Sequence, residues 1–260
     1  MIFKTPIMKE WNKLLKQEQK YLKDNVNKNE SKLNQLLAEK VPANLQNTLD
    51  TAFMKGFNLI FEKGTSILEK TYSKDELIQN YQINEYTTSI KKNRKTLQKF
   101  SKAAKSSSNK NILLSTVSGV GLGVLGIGIP DIVVFIGVLL KSIYEVALQY
   151  GFDYQSEEEK LFILKIIQGA LSTDTELIRI NDELNYFIQY EAFPIDEYVN
   201  VNVVDASKYL SKELLYMKFL QGIPIVGAVG GIYDAVYIKK ILKYAELKYR
   251  RRFYQERIKK

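Results

Sequence analysis

A chain of 260 residues with 45% hydrophobic and 12% aromatic content has enough apolar side chain to build a core, which excludes a disordered polymer. It has no Cys and no His, which excludes disulfides, thiolate chemistry, Ser-His-Asp and Cys-His catalysis, and every zinc site that uses those ligands. The net charge of +9 is unevenly spread: Met1 to Asn111 holds 21 Lys and Arg against 11 acids, Ile112 to Ile238 holds 7 against 16, and Lys239 to Lys260 holds 10 against 2.

Basic ends on an acidic, apolar middle point to an anionic surface, either phospholipid headgroups or nucleic acid. Met1 to Trp11 has no apolar run of the length a signal peptide needs, so export by that route is not expected. After a break at Val41 and Pro42, Leu45, Leu49, Ala52, Phe53, Gly56, Phe57 and Ile60 fall on one face of a helix that Gly64 can end. Ser73 with Glu76 has the form of a capping box. It opens a long polar helix in which Lys91, Lys92, Arg94, Lys95, Lys99, Lys102 and Lys105 accumulate.

Ile112 to Pro130 holds no charge over 19 positions, close to the roughly 20 a membrane span requires. Gly119, Gly121, Gly123, Gly126 and Gly128 would each weaken an isolated helix by about 1 kcal/mol relative to Ala. Three arrangements stay open: a buried soluble hairpin, a membrane-inserting hairpin, or a single span. Gly121, Gly123 and Gly126 also fit G-x-G-x-x-G, with Glu145 near the ribose-binding position. That motif needs a preceding strand and an opening helix, whereas Pro130 and Asp131 interrupt this one and the downstream pattern is helical.

Asp131 is the one charge before Leu140 and, beside Pro130, can cap a helix from Ile132 to Gln149. Ser156 with Glu159 forms a second capping box, followed by a stripe of Leu161, Leu164, Ile167 and Leu171. Leu177, Ile180, Leu184, Phe187 and Ile188 make a further amphipathic helix. Phe193 to Val203 reads as a loop or extended stretch, and Asp205 can cap the next helix. That helix stops at Gly222 to Pro224, and a second Gly-rich apolar stretch, Ile225 to Ile238, leads into a basic C-terminal helix.

Without His or Cys, an enzyme here would run on carboxylates, Lys, Tyr or Ser. Asp131, Glu145, Tyr150 and Asp153 are the catalytic candidates, and Asp131, Glu145, Asp153 and Glu157 are the oxygen donors for a hard divalent cation, Mg, Mn or Ca. Asp131 and Glu145 would lie about 21 Å apart on one straight helix, so a shared site needs the chain to fold back. In the tail, Lys239, Lys240, Lys243, Arg250, Arg251, Arg252 and Arg257 are interleaved with Tyr244, Tyr249, Phe253 and Tyr254. Such a helix can lie on an anionic membrane, or it can be a solvated face with its aromatics packed inward. No specific nucleic-acid-binding motif is present.

Gly126 to Ile167, GIGIPDIVVFIGVLLKSIYEVALQYGFDYQSEEEKLFILKII, together with IPIVGAVGGIYD and YRRRF between Ile223 and Phe253, resembles the EcsC family of bacterial proteins. The likeness covers roughly the last 150 residues, and residues 1–110 carry no recognisable signature of the family. The matching positions are Gly126, Gly128, Asp131, Glu145, Tyr150, Gly151, Asp153, Glu157, Pro224, Gly227 and Gly231; Asp234 stands where Asn is expected. The family is named for a gene beside an ABC transporter, and its molecular activity is not established.

The resemblance implies context rather than mechanism. The expectation is an all-α multi-helix bundle with two Gly-rich apolar hairpins packed together, divided into a basic helical region (1–110) and an EcsC-like domain (111–260). Functionally it is an accessory protein, not an enzyme, at the cytoplasmic membrane surface, with anionic lipid and a transporter or export complex as partners. A carboxylate-metal hydrolase and a membrane-inserting or pore-forming protein are the alternatives.

Overall fold

The structure, a computed structural model, describes residues 5–26, 43–117, 130–220 and 232–259, all of whose regular elements are helical. In order these are α1 (Pro6–Val26), α2 (Ala43–Leu59), a π turn (Ile60–Gly64), α3 (Thr65–Glu69), α4 (Lys74–Ile90), α5 (Arg94–Val117), α6 (Pro130–Gln149), α7 (Glu157–Leu171), α8 (Asp174–Tyr190), α9 (Val199–Leu220) and α10 (Ile232–Lys259). The chain is an all-α multi-helix bundle. The break at Val41 and Pro42, the glycines from Gly119 to Gly128, and Pro224, Gly227 and Gly231 lie outside the described residues, so the expected packing of the two Gly-rich apexes does too.

Helix α10 runs through the bundle and touches α1, α5, α6, α7 and α8. Helix α7 is buried on every side from Leu161 to Leu171, between α8, α9 and α10. Helix α2 closes the far side against α6 and α9, and α4 covers α5 and α6. The window Ile132–Gln149 is long and apolar enough to span a membrane, with mean hydropathy 1.8, yet 83% of it is buried inside the protein. Here α6 spends its apolar surface on α2, α4, α5 and α10. The division expected at residue 110 falls inside α5, and one contiguous set of buried residues runs from Leu14 to Tyr254.

Both serines cap their helices: Ser73 Oγ accepts from Glu76 N at 3.3 Å and Ser156 Oγ from Glu159 N at 3.1 Å, while the Glu159 carboxylate turns away from Ser156 to accept from Tyr249 and Arg252. Four boundaries differ from expectation. Gly64 does not end α2, because the chain continues through a π turn in which Thr65 Oγ1 donates to the Ile60 carbonyl at 3.1 Å, five residues back. The polar helix after Ser73 divides at 91–93, where Asn93 Oδ1 accepts from Thr96 N at 3.1 Å and caps α5. Asp131 stands in the first turn of α6 rather than at its cap, since Pro130 is already helical; its side chain is outside the described set.

The fourth is α9, which starts at Val199, leaving Asp205 inside it and paired to Lys208 at 3.5 Å. Its β-branched opening is a poor helix former. Burial decides instead: Asn202 Nδ2 donates to Glu197 Oε2 (2.6 Å) and to the Tyr198 carbonyl (3.1 Å), while Asn202 Oδ1 accepts from Gln168 Nε2 of α7 (3.0 Å).

Helix α6 ends in a Schellman turn, with Phe152 N bonded to the Ala147 carbonyl and Gly151 N to the Leu148 carbonyl, both at 3.0 Å. Gly151 has φ +85°, and a Cβ there would overlap the Tyr81 ring. Left-handed backbone costs an L-residue about 1–2 kcal/mol before any clash. Gly151→Ala is therefore expected to lose about 2 kcal/mol or more in urea unfolding, and Tyr81→Ala in the same chain restores only the steric part; a neutral Gly151→Ala would refute this account.

The seam of α1, α8 and α10 contains a fully buried amine. Lys248 Nζ meets three acceptors, Asn181 Oδ1 at 2.5 Å, Asn185 Oδ1 at 2.9 Å and Glu18 Oε1 at 3.4 Å, which uses all of its donors. Burial draws its pKa from 10.5 down to about 8, against the pull of Glu18. Between those values the unfolded chain binds a proton that the folded chain does not, so stability rises with pH across that window. The stability of the wild type relative to Lys248→Met, compared by urea unfolding at both ends of the window, is expected to grow towards the alkaline end.

Candidate functional site

The lysines of α1 recur at helical spacing. Lys9, Lys13, Lys16, Lys20 and Lys23 are all exposed and fall within about 80° of arc on the helix. Two of the three acids of α1 face the other way: Glu10 and Glu18 are buried, Glu10 accepting from Arg94 Nε at 2.6 Å and from Gln98 Nε2 at 3.0 Å. The outward face of α1 is thus five lysines with Asp24 at its margin.

Helix α5 touches both α1 and α4 and contains Arg94, Lys95, Lys99, Lys102, Lys105 and Lys110 without a single acid. Lys95, Lys99, Lys102 and Lys105 are exposed. On α4 the side chains Ile83, Tyr86 and Ile90 are 61, 70 and 62% exposed at i, i+3 and i+7, an apolar ridge that runs straight into Lys91 and Lys92. Apolar residues bordered by lysines match the composition of interfacial helices.

The basic tail behaves differently from this face. Arg250 is buried, donating to Gln17 Oε1 at 2.6 Å and lying 3.4 Å from Glu246. Arg251 pairs with Glu18 and lies over the Trp11 ring at 5.2 Å. Arg252 meets Glu159 Oε2 at 2.5 Å and stacks on Phe152 at 4.2 Å, while Arg257 pairs with Glu85 and lies 3.4 Å from the centre of Phe253. Burial raises the pKa of Glu159 even with Arg252 and the Tyr249 hydroxyl beside it. Lys240 reaches Glu213 at 3.7 Å; Lys239 and Lys243 remain exposed. The arginines hold the bundle together from inside, and the outward charge belongs to lysine.

Between α1, α5 and α10 lies a cleft of about 450 Å³. Lys20, Lys105, Lys239, Lys243 and Arg250 line it against only two acids, Asp24 and Glu246. Glu246 is already engaged, accepting from the Tyr150 hydroxyl at 3.1 Å and facing Arg250. The sequence pattern had pointed to Lys239, Lys243 and Arg250 through the tail, and to Lys105 through the run on α5. The α1 lysines were missed, although their spacing of four, three, four and three residues was legible in the sequence.

The carboxylate candidates are dispersed. Glu145 is buried 3.9 Å from Lys141; Asp153 is 65% exposed, 3.9 Å from Lys74, with its Oδ1 accepting from Tyr154 N; Glu157 is exposed and pairs with Lys160 at 2.5 Å. Among the described residues no three acids gather where one cation could bind. Glu145 and Asp153 do share the surroundings of Tyr72, whose pKa is pushed up to about 12 by burial first and by Glu69, Glu145 and Asp153 in addition. Tyr72 donates to Tyr154 (2.6 Å), which donates to Glu69 (2.6 Å), and Lys74 meets Glu69 at 3.0 Å.

That chain, with Tyr144 stacked on Tyr154 at 4.0 Å, ties α3 and the start of α4 to the segment after α6. Phenols held this firmly in the neutral form are poor bases and nucleophiles at neutral pH. Tyr150 is likewise fully buried, 3.1 Å from Ser101 Oγ, and burial raises its pKa well above the ordinary value.

No curated protein and no solved structure matches this chain. The model of the EcsC protein family matches residues 7–253, from the first turn of α1, where the sequence pattern alone showed no family signature, to Phe253 of α10. Over nearly its whole length, the chain belongs to the EcsC protein family.

Proposed function

We propose that this protein is a binding protein rather than an enzyme, which docks on the anionic cytoplasmic face of a membrane. The lysines of α1 and α5 meet the headgroups, and Ile83, Tyr86 and Ile90 enter the interface. The observation that carries this reading is the sorting of charge: exposed lysines at helical spacing on two adjacent helices, with two of the three acids of α1 turned inward and none on α5. Lysine is a strongly hydrated point charge that keeps its water at a headgroup surface, and an exposed lysine face is attracted within a Debye length. In line with the gene context for which the family is named, the docked protein would serve a neighbouring transporter or export complex as an accessory.

Each lysine near an anionic surface contributes about 1 kcal/mol. Replacing Lys9, Lys13 and Lys16 with Gln is expected to weaken co-sedimentation with phosphatidylglycerol vesicles by about two orders of magnitude at low salt, with no change in melting temperature. Undiminished binding by that variant, or no binding by the wild type, would overturn the reading. Arg252→Gln tests the opposite prediction for the tail. It leaves Glu159 buried without its cation, so it is expected to cost about 3 kcal/mol of stability in denaturant unfolding, well beyond the loss from the three lysines.

A further inference from the structure

The cleft between α1, α5 and α10 is more than a hollow in the basic face. Lys20 and Lys105 also belong to the lysine stripes of α1 and α5, whereas Lys239 and Lys243 come from one face of α10. Three helices thus place four ammonium groups around one opening. Lys20, Lys105 and Lys239 meet no carboxylate among the described residues, and Lys243 lies over the Tyr21 ring at 5.6 Å.

Arg250, 7% exposed, lines the same cleft. One terminal nitrogen is held by Gln17 and the other faces Glu246 at 3.4 Å, but its Nε is buried with no hydrogen-bond partner. A buried guanidinium donor left unpaired costs free energy, and an acceptor oxygen would recover it. Ser108 and Asn109 add neutral polar groups to the lining, and Tyr21, Leu242 and Leu247 form an apolar wall. The volume of about 450 Å³ is that of a small-molecule pocket.

We propose that this cleft binds a phosphomonoester group, with its dianionic oxygens among Lys20, Lys105, Lys239 and Lys243 and the carbon chain of the ligand along Tyr21, Leu242 and Leu247. Two charges on one phosphorus suit converging ammonium groups better than the single charge of a phosphodiester, since a phosphomonoester carries about −1.5 to −2 at neutral pH. The same chemistry is offered by the headgroup of phosphatidic acid and by a soluble phosphomonoester. Only the lipid source rests on the membrane docking proposed above.

The test uses the full chain and its Lys239→Gln/Lys243→Gln variant, which leaves the lysines of α1 and α5 in place. Vesicles of phosphatidic acid and of phosphatidylglycerol, each diluted in phosphatidylcholine to the same surface charge, are compared by co-sedimentation, and glycerol 3-phosphate is titrated calorimetrically. The lipid source predicts that the wild type prefers phosphatidic acid by about fivefold or more. The variant then loses that preference yet keeps its binding to phosphatidylglycerol. If the preference is absent but glycerol 3-phosphate binds the wild type and not the variant, the cleft takes a soluble ligand and the proposal stands. Absence of both the lipid preference and glycerol 3-phosphate binding overturns it, whether or not phosphatidylglycerol vesicles bind. Glycerol 3-phosphate binding without any vesicle binding would instead overturn the docking and leave the cleft standing. Matching melting temperatures of the two proteins establish that the variant is folded.

Discussion

Helix α10 carries Glu246, Lys248, Arg250, Arg251 and Arg252 through the middle of the bundle, and charges removed from water must each find a partner. The neighbouring helices supply those partners: Gln17 and Glu18 from α1, Asn181 and Asn185 from α8, and Glu159 from α7. A displacement of α1 by one turn would leave Lys248 and Arg251 without Glu18 and bury the loss. The position of α1 is set this way, and with it the direction in which the opposite face of α1 presents its lysines. The surface proposed for function is the outward consequence of an inward pairing requirement.

The two cationic residue types divide the work along physical lines. Guanidinium is planar, weakly hydrated and able to stack while it pairs, which suits Arg251 over Trp11, Arg252 among Phe152, Phe162 and Phe187, and Arg257 over Phe253. Ammonium keeps its hydration, so lysine dominates the exposed faces of α1 and α5. Two lysines depart from this among the described residues: Lys165, buried between Glu183 and Glu197, and Lys248, whose lowered pKa records the cost of placing an ammonium where a guanidinium would be the easier choice. The same division explains why the cleft is open to a ligand. Its lysines are not committed to internal ion pairs, and the buried Arg250 adds its charge to the wall of the cleft.

The phenols of the core are structural for a related reason. Tyr72, Tyr144, Tyr150 and Tyr154 all have pKa values raised by burial; the hydroxyls of Tyr72, Tyr150 and Tyr154 are spent on Glu69, Ser101 and Glu246 or on one another, and that of Tyr144 meets Thr65. With no imidazole or thiol in the chain, these phenols are held in place as neutral hydrogen-bonding groups.

Much of the architecture was legible in one dimension because helices advertise themselves by local periodicity. The stripes Leu161 to Leu171 and Leu177 to Ile188 and the serine caps at Ser73 and Ser156 depend only on residues a few positions apart, and each stands as its spacing implied. The boundaries that differed, at Gly64, Asn93, Val199 and Pro130, were decided by a compensating hydrogen bond, a second cap, burial against α7, or the fixed φ of proline. Composition determined that the ends of the chain are basic. It could not say which cations face water, because the partners of Arg251 and Arg252 lie 233 and 93 residues away in sequence. Only tertiary structure could turn the arginines of the tail inward, leave the lysines of α1 and α5 outside, and bring three helices together around one cleft. Ion pairing across such separations is a property of the packed bundle and leaves no periodic trace in the chain.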